Sequence, residues 1–162
     1  MTEQKSPSMS VIIATPDRYA TIRKTIQHLS SQTIRHQLEI VIVASSRENL
    51  QLDSGELAPF LSHQVVELGS IPSIGSANAE GIRRAKSPIV ALAEDHCFPD
   101  PQWAERLLAA HRGPWAAVGP GVRNANPNTA VSWADLLIGY GPWLTPSPSR
   151  EAEFLPGHNS SY

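Results

Sequence analysis

Three stretches of the chain are nearly unbroken runs of apolar, mostly β-branched residues: MSVIIAT (Met9 to Thr15), LEIVIVASS (Leu38 to Ser46) and SPIVALAED (Ser87 to Asp95). Runs of this length without polar alternation predict strands buried on both faces. HQVVELG (His63 to Gly69) predicts a weaker strand between the second and third of these runs, and WAAVGPGV (Trp115 to Val122) a fifth one. The intervening segments change period. Ile22, Ile26 and Leu29 recur at steps of four and three, which predicts a helix from Asp17, its cap, to about Ser31. Ile74, Ala77, Gly81, Ile82 and Ala85 predict a second helix over Ile74 to Lys86, and the polar stretch Arg47 to Gly55 reads as a loop. Asp100-Pro101 is a helix start, followed by Trp103, Leu107, Leu108 and His111 on one side. Strands alternating with helices imply right-handed crossovers and a mostly parallel α/β sheet with helices on both faces.

Beyond Val122 the pattern loosens: a polar loop at Asn124 to Asn128, a helix over Ala130 to Tyr140, an irregular or mobile connector GPWLTPSPSR, and EFLPGHNSSY as a strand entering a turn. With 162 residues, 41% of them apolar and 17% charged, the chain suits one domain. A net charge of -2 gives no electrostatic ground for nucleic acid as a partner. No apolar run approaches the ~20 residues of a membrane span, and MTEQKSPS lacks a signal-peptide layout, so the expected address is the cytosol. The single cysteine, Cys97, excludes an internal disulfide and reads as a small buried hydrophobe.

Chemistry concentrates where the fourth predicted strand stops, in ALAEDHCFPDPQW. Ligands of open α/β sheets bind outside the carboxyl ends of the strands, which is where Glu94, Asp95 and His96 fall. In extended backbone Glu94 and His96 share a side, and a carboxylate with an imidazole suits manganese or zinc better than calcium. Few protein ligands in a short loop leave coordination positions open for substrate phosphates. A solvated acidic turn that caps the next helix fits the same string.

The order of the motifs MSVIIATPDR, LEIVIVASS, the Gly81 helix, SPIVALAEDHCFPDPQW and FLPGHNSSY resembles family 2 glycosyltransferases over nearly the whole chain, from about Ser8 to Tyr162. The resemblance implies a GT-A, Rossmann-like fold. It implies a nucleotide-sugar-binding half at 8–122 and a partial acceptor-side region at 123–162 of a single domain. It further implies a nucleoside diphosphate sugar donor and a manganese or magnesium ion held by an Asp-x-Asp motif. Thr15, Asp17 and Arg18 then match the turn bordering the nucleoside, joined by Ser45. Glu94, Asp95 and His96 match the Asp-x-Asp position: Glu94, nearest the ribose, and Asp95 are implied to contact the nucleotide, and His96, in the slot of the last aspartate, to hold the metal together with Glu94. Gly157, His158 and Asn159 match the Gly-x-Asn segment beneath donor sugar and acceptor.

Some positions depart from the pattern. Ala44 and Ser45 stand where paired aspartates usually receive the base, which weakens uridine recognition, and Arg83 or Arg84 replaces the usual diphosphate cation unless both are simply an exposed helix face. The family's general base follows GHNSSY by some tens of residues, so the resemblance assigns it to no position up to Tyr162; Glu151 and Glu153 read as a solvated loop. The expected function is inverting, metal-dependent transfer of a sugar to an unidentified acceptor hydroxyl. The rival reading is a non-catalytic nucleotide-sugar-binding or assembly subunit of the same fold. A nucleotidyltransferase ranks lower because TPDRYATIRK has no glycine. Apolar Trp133, Leu137 and Trp143 suggest a surface for a partner chain, a second copy or further chain of the same domain.

Overall fold

The computed structural model describes residues 6–145 and 149–162; residues 1–5 of the polar start and 146–148 of the proline-rich connector, with the readings placed on them, lie outside the described residues. Four strands, β1 (Met9–Ala14), β2 (Leu38–Ala44), β3 (Ser62–Glu67) and β4 (Val90–Ala93), form a parallel sheet in the order β3-β2-β1-β4. Five helices accompany it: α1 (Tyr19–Ser30), α2 (Arg47–Leu50), α3 (Ile74–Arg84), α4 (Trp103–Ala110) and α5 (Ala130–Tyr140).

Side chains alternate across the pleat, so each central strand feeds two cores. Met9, Val11 and Ile13 meet Tyr19, Ile22, Ile26 and Leu29 of α1 and Ala104 and Leu107 of α4. Ile12 and Ala14 point the other way, with Val41 and Val43, toward Ala77 of α3. The helix period therefore matches the strand period on both faces, as the sequence pattern predicts.

Gly81 explains itself at this second interface. A Cβ there would overlap Ile12 Cγ2 and come to 3.0 Å from Val43 Cγ2, both on β-branched side chains with little room to rotate. Gly81→Ala is expected to cost about 1–2 kcal/mol net, overpacking outweighing the roughly 1 kcal/mol that alanine gains as a helix former. Urea unfolding measures this, and a variant as stable as the parent would show that α3 can lift away freely.

Several local expectations are corrected. Trp115 to Val122 is not a fifth parallel strand: Gly119, Pro120 and Gly121 interrupt it, and only isolated bridges form, at Val118 with Ser161 and at Val122 with Leu144. Arg47 to Gly55 is not plain loop but holds α2, capped by Ser46, and the start of a 3₁₀ turn at Ser54–Leu57. Asp17 does not cap α1; its backbone N–H donates to Thr15 Oγ1 at 3.2 Å and Arg18 takes the N-cap position without a side-chain bond. Asp100 does not cap α4, because its carboxylate is occupied by Arg123 at 2.5 and 2.7 Å while Gln102 precedes the helix.

The closing segment runs turn first and strand second. Ser160 to Tyr162 lie antiparallel along the outer edge of β4, exchanging both backbone hydrogen bonds between Val90 and Tyr162 (3.0 and 2.9 Å) and giving Ser160 O to Leu92 N. On their far side they pair with Val118.

Candidate functional site

The antiparallel register at β4 builds the site. Ala91 faces Ser161, so counting outward in opposite directions along the two segments sets Glu94 against His158 just beyond the carboxyl end of the sheet. Asn159 adopts a left-handed backbone, φ 59°, which asparagine tolerates better than most residues. It is buried and clasps Glu94 from two sides: its Nδ2 donates to Glu94 Oε2 at 2.9 Å, and its Oδ1 accepts from Glu94 N at 3.5 Å. His158 Nδ1 donates to Glu94 Oε1. From α5, Tyr140 Oη donates to Glu94 Oε2 at 2.6 Å and stands 3.2 Å from His158 Nδ1, the two rings 5.2 Å apart. Burial, then the hydrogen bond to Glu94, pushes the Tyr140 hydroxyl well above its ordinary pKa, so it stays a donor across the physiological range.

Beyond Glu94 the backbone leaves the strand and turns at Asp95 and His96. The extended-chain alternation expected for Glu94 and His96 therefore does not hold, yet the turn still leaves His96 Nε2 4.0 Å from Glu94 Oε2. His96 Nδ1 lies 2.6 Å from Asp95 Oδ1, and this bond, followed by the carboxylate charges against the opposing effect of burial, raises the imidazole pKa. The loop is fastened from α1 and from the turn that follows it. Thr25 Oγ1 donates to Asp95 O at 2.8 Å, and the fully buried Gln32 donates to Asp100 O at 2.7 Å while accepting from Ala104 N at 3.0 Å. Cys97 has its thiol pushed up to about 11 by burial, so it contributes packing rather than reactivity.

A second feature opens beside the ends of β1 and β2. An open cleft of about 640 Å³ lies between Pro16, Asp17 and Arg18 on one side and Glu48, Asn49 and Gln51 on the other. Both groups follow the carboxyl ends of neighbouring strands, the ligand edge of an open α/β sheet.

The sequence profile of Glycosyl transferase family 2 matches residues 10–162. The chain belongs to that family. Among solved structures, this family 2 chain is similar to a mannosyltransferase, PcManGT, from Pyrobaculum calidifontis in complex with GDP-Man and Mn2+, with a TM-score of 0.63 at 22% identity. The match covers 74% of this chain and 36% of the mannosyltransferase. It is also similar to S. aureus TarS 1-349 in complex with UDP-GlcNAc, with a TM-score of 0.65 at 15% identity, over 75% of this chain and 36% of that one. At these identities the likeness is one of fold, and the chain spans about a third of the length of either neighbour. No curated protein sequence matches it.

Set out on this fold, the residues singled out from sequence fall into separate places. Asp17 and Arg18 face the cleft, whereas Thr15 is fully buried and spends its hydroxyl on the turn to Asp17. Ser45 Oγ accepts from Asn49 Nδ2 at 3.3 Å, beside the same cleft. Glu94, His158 and Asn159 come together; Asp95 and His96 form the adjoining turn; Gly157 has open space around its Cα. Arg83 and Arg84 both pair with Glu80 on the exposed side of α3, at 2.9 and 3.1 Å, and hold that carboxylate below its ordinary pKa. This supports the exposed-face reading of the two arginines. Sequence reasoning missed Tyr140, Thr25 and Gln32. Thr25 had a signal, a polar residue next to Ile26 and three past Ile22 on the apolar stripe of α1; Tyr140 had none, since its partner lies 46 positions away.

As to metal, the described residues contain no group of three or more His, Cys, Asp or Glu placed to hold an ion. Both Glu94 oxygens already accept protein hydrogen bonds, leaving His96 Nε2, on a side chain 75% exposed, as the outward donor. One imidazole braced through its other nitrogen by a carboxylate is a usual protein contribution to a divalent site, and it suits an ion whose remaining ligands come with a diphosphate. Among the described residues this one imidazole is what the turn offers to such an ion. Among the described residues no helix is long and apolar enough to cross a membrane.

Proposed function

We propose that this chain forms the donor-binding part of a glycosyltransferase that moves a sugar from a nucleoside diphosphate to an acceptor hydroxyl, with inversion and with a divalent metal. The observation that carries this reading is the meeting of Glu94, His158 and Asn159 at the carboxyl end of β4, next to the Asp95-His96 turn. Residues 8–122 would hold the nucleotide and 123–162 would border the acceptor. Asp17, Arg18 and Ser45 line or adjoin the cleft that would take the nucleoside. Thr15 shapes the turn that presents them. His96 would hold the ion, with Asp95 fixing its ring. A bound divalent cation supplies neutralising charge to the departing diphosphate. Glu94, tied to the acceptor-side segment, orients His158 and Asn159 toward the sugar, with Gly157 leaving room beside them.

Calorimetric titration with UDP-GlcNAc and GDP-mannose, with and without manganese, tests the reading. Affinity for one donor should rise with manganese, and His96→Ala should lose that rise while keeping the metal-independent part. Equal metal dependence in parent and variant would refute His96 as ligand. A second reading, a binding or assembly subunit without turnover, is favoured by Ala44, which brings no polar group, and by Ser45, already engaged with Asn49. Tight donor binding with no release of nucleotide would support it.

A further inference from the structure

The donor-site reading leaves one feature unused: a tyrosine on α5, a helix that buries none of its own residues, reaches across to a carboxylate at the end of β4. Val131 and Ile138 of the same helix are 80% and 87% exposed, so α5 is held to the domain by few contacts. Tyr140 is among them, and it meets Glu94 and His158 together. Glu94 gathers Tyr140 from α5, and His158 and Asn159 from the closing segment, around one carboxylate. Without the hydroxyl, Oε2 keeps only Asn159, and the carboxylate and the imidazole bonded to it gain freedom to rotate.

We propose that Tyr140 is a positioning residue: through its bond to Glu94 it fixes Glu94 and His158 in the arrangement that receives the donor. The inference rests on the donor-site reading. It also gives α5 a role in the site, as the element that carries this hydroxyl, and it makes α5 docking and donor binding mutually supportive. The placement of α5 then reaches the donor through the Tyr140 hydroxyl.

The test compares the parent chain with Tyr140→Phe, which keeps the ring against His158, with Val131→Ala as a control on the exposed side of α5, and with Glu94→Ala and the Glu94→Ala/Tyr140→Phe pair. Affinity for UDP-GlcNAc and GDP-mannose is measured with manganese, and thermal midpoints are recorded for all. Tyr140→Phe should weaken donor binding about tenfold, in the range for groups that orient a ligating shell, with a midpoint close to the parent's. Val131→Ala should bind as the parent does. Because Tyr140 acts through Glu94, adding Tyr140→Phe to Glu94→Ala should change affinity less than about twofold. Parent-like binding by Tyr140→Phe, or the same tenfold loss in the Glu94→Ala background, would overturn the inference while leaving the donor site standing. Failure of the parent chain to bind either donor refutes the donor-site reading, and the inference falls with it.

Discussion

Replacing Glu39 with leucine is expected to lower the unfolding free energy by about 3–5 kcal/mol. Glu39 has no exposed surface, yet it lies on β2 in the middle of the sheet. Its carboxylate accepts from Ser10 Oγ at 2.5 Å on β1, from Gln64 Nε2 at 3.0 Å on β3 and from Lys86 N at 2.8 Å ahead of β4, with Lys86 Nζ 3.7 Å away. Ser10 Oγ in turn accepts from Ser87 N at 3.1 Å. One side chain thus satisfies donors from three neighbouring segments; leucine leaves Ser10 Oγ and Lys86 N without that acceptor and Gln64 Nε2 with only Arg84 O, at 2.8 Å. The network sits at the amino ends of the strands, opposite the candidate site. Urea unfolding should therefore show the loss, while donor affinity measured on the folded variant stays near the parent value. A loss below about 1 kcal/mol would mean that water or rearranged partners replace the carboxylate with ease.

Glu94→Ala should have the largest effect on binding, weakening manganese-dependent donor affinity by about 10–100-fold. The substitution removes the acceptor shared by Tyr140, His158 and Asn159, and the carboxylate 4.0 Å from His96 Nε2. Loss of three donors' partner at the end of β4 should also loosen the turn at 157–159, because the long bond from the backbone N–H of residue 94 to Asn159 Oδ1 is then what remains between that turn and the end of β4. Calorimetry reads the first effect and amide exchange at Asn159 and Ser160 the second. Unchanged affinity together with unchanged exchange would show that the cluster is ornamental.

Much of this architecture could be read from the chain. β1, β2 and β4 announce themselves because strands buried on both faces are apolar nearly throughout, the buried Ser10 and Glu39 being hydrogen-bonded to each other, and α1 and α3 because Ile22, Ile26, Leu29 and Ala77 repeat on one side. Trp115 to Val122 misleads for the converse reason: its apolar residues suit a strand, but a glycine-proline-glycine run cannot sustain a ladder, and only isolated bridges at Val118 and Val122 form. The acidic turn was visible as composition. Its organisation was not, because the contact of Glu94 with His158 spans 64 positions and depends on an antiparallel register that no local pattern encodes. The cap assignments to Asp17 and Asp100 failed similarly: each residue type favours a cap, and tertiary demands, the turn at Thr15 and the Arg123 fork, claimed them first.

The antiparallel segment at the edge of β4 also orders events in time. β1, β2 and β4 can pair as soon as residue 93 is available, but the outer edge of β4 stays open until Ser160 to Tyr162 arrive. During synthesis that interval covers the stretch from residue 94 to residue 159, when an unpaired strand edge invites association with other nascent chains. Ser160 to Tyr162 are therefore expected to latch the fold as well as wall the candidate site: the same few backbone bonds that bring His158 to Glu94 also cover the outer edge of β4.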